Sequence, residues 1–294
     1  MILVVGATGM VGRQICRLLA ADGKSIRAMV RATSDQIKVD ELKGLGTSVV
    51  QGDLRDPDSL HAACQGVSAI VTTASSMPFA YRPGENTPQT TDQDGYLSLI
   101  EAAQGAGVGQ FIYTSFVQYP VSFPLQDAKR AVEDRLRNNG LTYTILQPTY
   151  FMEVWLSPAV GFDYANRKAT IYGTGVNPIR WISFQDVAQF AVASLDNPAA
   201  RNATLQLGGP DALNPLEVVG IFEQACGDPF EVQHVPVEAL QGQFAAATDP
   251  MEKSFAGLMI GLAAAQPVDL SATAKSFPIT LKTVQEYAHE VSNS

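Results

Sequence analysis

The sequence predicts an α/β fold, a doubly wound parallel sheet followed by a smaller C-terminal lobe. Three observations carry this. Short apolar runs alternate with helix-spaced segments from residue 2 to residue 148, the rhythm of βαβ units. The first run, Ile2–Val5, passes at once into the glycine turn Gly6-Ala7-Thr8-Gly9-Met10-Val11-Gly12 and then into a helical pattern. The 294 residues are 46% hydrophobic and 17% charged, a composition that builds a sizeable core.

Each element has its own signal. Ile2–Val5 is too short for a helix and fits a buried strand. Val11, Ile15, Leu18 and Leu19 recur at helical spacing, and Gly23 offers a stop. Ile26–Val30 is a second strand ending at Arg31; residues 47–51 form a third, closed by Gly52-Asp53. Asp56 before Pro57 is an N-cap with proline at the first helical position, and Gly66 ends that helix. Ala69–Thr72 is the fourth strand. Residues 73–93 are polar and proline-bearing and read as a loop, of a length that is usually functional or mobile. Helix resumes near Asp94 and runs to about Gln104. Residues 111–114 are the fifth strand, 125–138 a helix with Gly140 as its stop, and 143–146 the sixth strand, ended by Pro148.

The remainder is less regular. Residues 169–172 and 180–182 read as short strands, and Ser183 with Asp186 opens a helix in the manner of a capping box. Residues 204–207 are a strand, Asn214-Pro215 opens a helix that Gly227 closes, and Glu231–Val235 is a strand. Residues 237–265 are mostly helical, and Thr280 opens a last helix. The expected division is a nucleotide-binding domain over 1–150 and a mixed part over 151–294. That part includes segments returning to the sheet and a small α/β substrate lobe.

Composition narrows the partners. A net charge of −9 argues against nucleic acid and against an anionic membrane surface. The apolar start is four residues long, unlike a signal peptide, and the apolar run at 255–265 falls short of the roughly 20 residues a span needs. Cys16, Cys64 and Cys226 are odd in number and scattered, as expected of thiols in a reducing cytoplasm. His61, His234 and His289 show no metal-ligand spacing, so no metal is expected.

A strand, a glycine turn and a helix start in that order make a dinucleotide site. The helix N-terminus offers unpaired N–H groups and partial positive charge to a pyrophosphate. Gly6 allows the tight turn, Gly9 admits the phosphate, and Gly12 lets helix pack close to strand. Arg31 closes the second strand where an acid would bind the ribose 2′-OH of NAD; an arginine there accommodates the 2′-phosphate of NADP. The expected cofactor is NADP(H), and Arg27 is a second arginine expected nearby. Asp53 either accepts from the adenine amino group or caps its own loop. Ala74, Ser75 and Ser76 either let the cofactor's ribose approach the backbone or simply turn the chain.

The glycine turn, Arg31, Gly52-Asp53-Leu54, Lys129 with Glu133 before Thr144-Ile145-Leu146-Gln147-Pro148, Trp181-Ile182-Ser183 before Asp186-Val187-Ala188, and Leu207-Gly208-Gly209 form an ordered set. Across nearly the whole chain this set resembles the NmrA-like atypical short-chain dehydrogenases/reductases. The resemblance implies a Rossmann fold with a smaller C-terminal substrate lobe and binding of NADP(H). Such proteins include quinone, phenylpropanoid and triphenylmethane-dye reductases, and also regulators that bind dinucleotide without known turnover. It further implies that Asp53-Leu54 flanks the adenine, and that Lys129 is the active-site lysine holding the nicotinamide ribose hydroxyls.

Ser115, at the end of the fifth strand, orients substrate in the wider superfamily; here it can equally cap the chain. That superfamily carries tyrosine four residues before the lysine, where this chain has Leu125. The usual phenolic proton donor is therefore missing, and Tyr81, Tyr119 and Tyr150 are the candidates to replace it. Glu133, one turn beyond Lys129, is spaced to pair with it. Met77, Phe79 and Tyr81 form one apolar patch; Tyr150, Phe151, Met152, Trp155 and Phe162 form another. Both suit the nicotinamide end and a flat substrate, or the packing of a lobe. The expected function is an NADPH-dependent reductase of a small aromatic or quinone-like compound, acting as monomer or homodimer. The alternative is an NADP(H)-sensing regulator.

Overall fold

A computed structural model describes residues 1–77 and 81–292. Its strands are β1 (Ile2–Val5), β2 (Ile26–Val30), β3 (Ser48–Gln51), β4 (Ala69–Thr72), β5 (Gln110–Thr114), β6 (Tyr143–Pro148), β7 (Phe162–Asp163), β8 (Lys168–Tyr172), β9 (Ala203–Leu207) and β10 (Glu231–Val235). Its helices begin with α1 (Met10–Ala21), α2 (Gln36–Gly44), α3 (Pro57–Cys64), α4 (Tyr96–Gly105), α5 (Pro124–Arg137) and α6 (Met152–Trp155). They continue with α7 (Phe184–Asp196), α8 (Pro215–Cys226), α9 (Val237–Ala246), α10 (Pro250–Ala263), α11 (Ser271–Ser276) and α12 (Val284–Ser292).

Seven strands form one sheet in the order β3-β2-β1-β4-β5-β6-β9, and the pairs among β1 to β6 are all parallel. This is the doubly wound sheet that the alternation of runs predicts. The strand order reverses between β1 and β4, and in such sheets ligands bind beyond the strand ends at that reversal. The register is level there: Val5 stands beside Met29 on one side and Thr72 on the other. β1, β4 and β5 are buried at every residue, as parallel strands covered on both faces must be. On one face Leu3, Val5, Ile70, Phe111, Tyr113 and Ile145 of the sheet meet Leu60 of α3, Leu99 and Ile100 of α4, and Val132 and Leu136 of α5. Right-handed crossovers place α1 and α2 on the other face.

The chain forms two compact units. One comprises Met1–Phe116, Pro124–Gln147 and Val187–Leu205; the other comprises Val117–Phe123, Pro148–Asp186 and Gln206–Ser294. The second unit contains a small sheet, β10-β8-β7, with β8 and β10 parallel and β7 antiparallel to β8. Leu240, Met259 and Ile260 form one of its apolar clusters.

Several elements differ from expectation, each for a local reason. Helical backbone begins at Pro88, as a π-helical stretch (Pro88–Gly95) running straight into α4, so the expected loop ends earlier than residue 93. Proline at the first turn is compatible with a helix. The Thr87 hydroxyl accepts from Thr90 N–H, and Thr90 Oγ1 accepts from Thr87 N–H in return. Helix α2 gave no periodic signal because only Val39 and Leu42 are buried on it; Asp35 caps it by accepting from Ile37 N–H. Residues 180–182 form no strand. Ile182 makes an isolated bridge to Phe151, and Ile179 one to Leu213. The last helix opens at Val284 instead of Thr280, where Thr283 and Glu286 bond reciprocally.

In the second unit Ser183 Oγ donates to Glu153 Oε1 at 2.6 Å, Phe184 N–H donates to Glu153 Oε2 at 3.1 Å, and Lys282 N–H donates to Asp186 Oδ2 at 3.1 Å. Burial pushes the Asp186 carboxyl up to about 6, and burial raises Glu153 as well. A carboxyl raised above its unfolded value of about 3.9 favours the folded state when protonated. Its contribution is full below about pH 4 and is lost as pH rises through about 6. Thermal melts will therefore show stability falling between these values. Asp186→Asn keeps an acceptor for Lys282 N–H, so it will flatten that fall and raise Tm at pH 7.5 while leaving the pH 4 value unchanged.

Candidate functional site

The glycine turn gives each glycine a different constraint. Gly6 has φ +83, and a Cβ there would lie 2.7 Å from Ala74 N. A Cβ on Gly12 would lie 2.1 Å from Gly6 O, so α1 packs on the turn through bare backbone. A Cβ on Gly9 would meet only Gly6 O, at 3.3 Å. Gly9 is the N-cap of α1, with no side-chain cap and no acid in the first turn. The first turn thus brings no carboxylate of its own to the donors at this helix end, and among the described residues the space beside Gly9 is open. A dinucleotide pyrophosphate fits this cradle by charge and by shape. Thr8, Met10 and Val11 flank it, half-buried.

Arg31 follows β2 with an exposed side chain. Arg27 does not join it. Four residues along a strand span about 13 Å, and Arg27 Nη1 donates to Ala63 O at 2.8 Å and Gln65 O at 2.7 Å. Asp53 caps its own loop. Its carboxylate accepts from Arg55 Nε at 3.0 Å, Arg55 Nη2 at 2.8 Å and Arg55 N–H at 2.9 Å. These bonds hold the Asp53 carboxyl below the usual carboxylate range, with a smaller contribution from the Arg31 charge. Arg55 is thus the residue that clasps this carboxylate. Nothing in the sequence pattern marks Arg55, two residues past Asp53. Leu54 is buried in the sheet core, backed onto Gly95.

Beyond β4 and β5 lies the most unusual group of polar residues. Lys129, on α5, is 5% exposed. Its Nζ stands 3.6 Å from Asp92 Oδ1 and 3.5 Å from Thr114 O, and lies over the rings of Tyr113 and Phe116 at 5.4 and 5.9 Å. Burial pulls the Lys129 ammonium below its usual value, and Asp92 opposes that pull. Asp92, wholly buried on the π-helical stretch, accepts at Oδ2 from Ser76 N–H at 2.9 Å and from Ser76 Oγ. Glu133 is not the partner of Lys129. It is enclosed by Arg130 at 3.0 Å, Arg137 at 2.9 Å and Gln147 Nε2 at 3.0 Å, which satisfy both its oxygens. Ser115 is buried; its N–H donates to Leu146 O and its Oγ accepts from Arg130 Nη2 at 3.1 Å. Leu125, one turn before Lys129, is buried.

Ala74 packs against the core, accepting at its carbonyl from the Tyr96 hydroxyl, and Ser75 Oγ accepts from Met77 N–H. Met77 is buried and Tyr81 half-buried; Phe79 lies outside the described residues. In the second unit, Tyr150 packs edge-on against Tyr119 at 5.7 Å and Trp155 at 5.3 Å, and lies 6.1 Å from Trp181. Burial pushes its phenol well above the ordinary value. Phe151 and Trp155 are half-buried, Met152 is fully buried, and Phe162 packs on Phe222 at 4.8 Å. Among the described residues no helix is long and apolar enough to cross a membrane, and no group of His, Cys, Asp or Glu is placed to hold a metal ion.

A parallel sheet with the 3-2-1-4-5-6 order and a glycine turn at its reversal defines the class: a Rossmann fold of the NAD(P)H-binding, oxidoreductase-like kind. The chain belongs to the NmrA-like family, whose model matches residues 1–288. It is 32% identical over 273 residues to an NAD(P)H azoreductase of Xenophilus azovorans, covering 92% of this chain and 88% of that protein. It is 31% identical over 244 residues to the photosystem II assembly factor Ycf39 of Synechocystis sp., covering 82% of this chain and 72% of that protein. Among solved structures, the triphenylmethane reductase of Citrobacter sp. superposes with a TM-score of 0.80 at 21% identity, covering 100% and 99% of the two chains, a likeness of fold.

Proposed function

We propose that the protein is an NADPH-dependent reductase that passes a hydride to a small aromatic or quinone-like substrate. The observation that carries this reading is Lys129, an ammonium only 5% exposed beside the end of β5, with its shortest polar contact among the described residues at 3.5 Å. A buried charge held for stability alone is ordinarily saturated with hydrogen bonds. The cofactor, when bound, supplies the hydride at its nicotinamide ring.

The chain's own residues bind and orient. Gly6, Thr8, Gly9, Met10, Val11 and Gly12 hold the pyrophosphate at the start of α1. Arg31 takes the 2′-phosphate, Asp53 and Leu54 border the adenine, and Ala74 and Ser75 let the ribose pass close to backbone. Lys129 and Ser115 hold the nicotinamide ribose, and Lys129 donates the proton. The second unit is the substrate lobe. In that lobe Tyr150, Phe151 and Trp155 offer apolar surface to a flat ring or to the cofactor, and in the first unit Met77 and Tyr81 do the same. The azoreductase relative, a reductase by name, supports this reading. A panel of quinones, enones, imines and simple ketones with NADPH tests it. Quinones, which need little enzyme-supplied acid, will turn over, and simple unactivated ketones will turn over poorly, because Leu125 leaves Lys129 without a phenol to share the proton work.

Cofactor choice is a separate expectation. Titration will show NADPH binding at least about tenfold tighter than NADH, or about 1.4 kcal/mol. Arg31→Ala will remove most of that difference and leave NADH affinity nearly unchanged. Equal affinity of the parent for both cofactors would sink the assignment.

Leu125 favours a second reading, a regulator that binds NADP(H) without turnover. The Synechocystis relative, an assembly factor by name, supports it. Inactivity toward every acceptor, together with NADPH-dependent protection of residues 73–93 from protease, would favour the regulator.

A further inference from the structure

We propose that Asp92 is the positioning residue of Lys129: it keeps the buried ammonium charged and aimed along the end of β5, and through Ser76 ties that orientation to the chain leaving β4. This rests on the reading of Lys129 as the proton donor, and its first test is independent of turnover.

Four observations carry the proposal. Asp92 and Lys129 have side chains 0% and 6% exposed, so their attraction is little screened by solvent. The two oxygens of Asp92 are divided. Oδ2 takes both donors of Ser76, while Oδ1 makes no hydrogen bond within the described residues and faces the ammonium at 3.6 Å. The Tyr113 hydroxyl and Thr114 Oγ1, on the strand end beneath Lys129, are also buried without hydrogen-bond partners among the described residues. A core built only for stability satisfies such groups. Finally, Asp92 sits on the π-helical stretch, and π-helical irregularities are frequent at functional sites.

The charges around Lys129 fix the direction of the effect. Arg130 on its own helix disfavours its charge, Glu133 on the same helix favours it weakly, and Tyr113 of β5 presents a neutral ring. Asp92 is the largest influence opposing burial. Without the carboxylate, burial and Arg130 act nearly unopposed, and Lys129 becomes a neutral amine at a lower pH. A neutral amine is a poorer donor to a ribose hydroxyl and has no acidic proton to deliver. The Ser76 bonds fix the carboxylate in turn.

The test uses full-length protein carrying isotope-labelled lysine, with no substrate and no cofactor. The Lys129 signal is assigned as the one missing from Lys129→Met, and its titration midpoint is read in the parent and in Asp92→Asn. The amide keeps the shape and an acceptor for Ser76. An opposite charge within about 4–6 Å shifts such a group by about 1–3 pH units, so the Asp92→Asn midpoint will be lower by that amount. An unchanged midpoint overturns the proposal. On a quinone, the pH profile of kcat in Asp92→Asn will move by the same amount; a uniform loss at every pH would mark Asp92 as merely structural. If Asp92→Asn fails to fold, Ser76→Ala decides. It keeps the carboxylate but removes one donor from it, which concentrates its charge, so the Lys129 midpoint will rise; a fall or no change overturns the proposal. A lowered midpoint in a protein that reduces none of the acceptors would leave the ion pair standing and remove the reductase reading. Turnover with an unmoved midpoint would do the opposite.

Discussion

Lys129→Met will lower single-turnover NADPH oxidation by about 10²–10⁴, the range typical of a positioned acid or base. Methionine keeps the unbranched stem and removes the charge and all three donors. Cofactor affinity will fall less than turnover, because the pyrophosphate cradle lies at the start of α1 and does not involve α5. The substitution also strands Asp92, whose side chain is 0% exposed, without its counter-ion. Removing one partner of a buried pair costs about 3–5 kcal/mol, so Lys129→Met will melt lower than the parent. The double variant Lys129→Met/Asp92→Asn has no stranded charge. It will recover most of the lost Tm and none of the lost turnover, which separates the chemical loss from the structural one. A single variant as fast as the parent would refute the role of Lys129.

Two glycines three residues apart will fail in opposite ways. Gly12→Val will not yield folded protein, since its Cβ would stand 2.1 Å from Gly6 O and 2.9 Å from Ala7 Cα, and neither backbone atom can retreat. Gly9→Val will fold. Its Cβ meets only Gly6 O at 3.3 Å, and its φ of −76 and ψ of 170 suit a β-branched residue. That side chain then occupies the open space where phosphate would lie, and NADPH binding will be abolished. Melting curves and NADPH titrations on the two variants check both halves. Normal binding by a folded Gly9→Val would place the phosphates elsewhere.

The sheet was legible because parallel strands covered on both faces must be apolar throughout, as in Ile2–Val5 and Ala69–Thr72, and because glycine and proline mark the strand and helix ends. Helix α2 was not legible: with two buried residues in nine it leaves no periodic stripe. The candidate site was readable where backbone chemistry restricts the residue type, as at Gly6 and Gly12, while Lys129 stood out only through the family resemblance. Asp92 left no signal. A buried acid and a solvated acid look alike in a run of threonine, glutamine and aspartate, and only the approach of α5 makes this one different. Glu133 misled for the same reason. Helical spacing admitted a pair with Lys129, but Gln147 and two arginines, brought together by the fold, compete for it.

The interleaving of the two units constrains synthesis. β6 ends at Pro148, yet its neighbour β9 ends at Leu207, about sixty residues later. At a translation rate of about 5–20 residues per second, the outer edge of β6 waits roughly 3–12 seconds for its partner strand. Throughout that interval the nascent sheet presents an open row of backbone donors and acceptors, the surface on which chains aggregate. A fragment cut near residue 150 would keep that edge permanently bare, so the nucleotide-binding half cannot be excised at the point where its sequence pattern ends. Its completion depends on a segment that the ribosome delivers only after part of the other unit has been made.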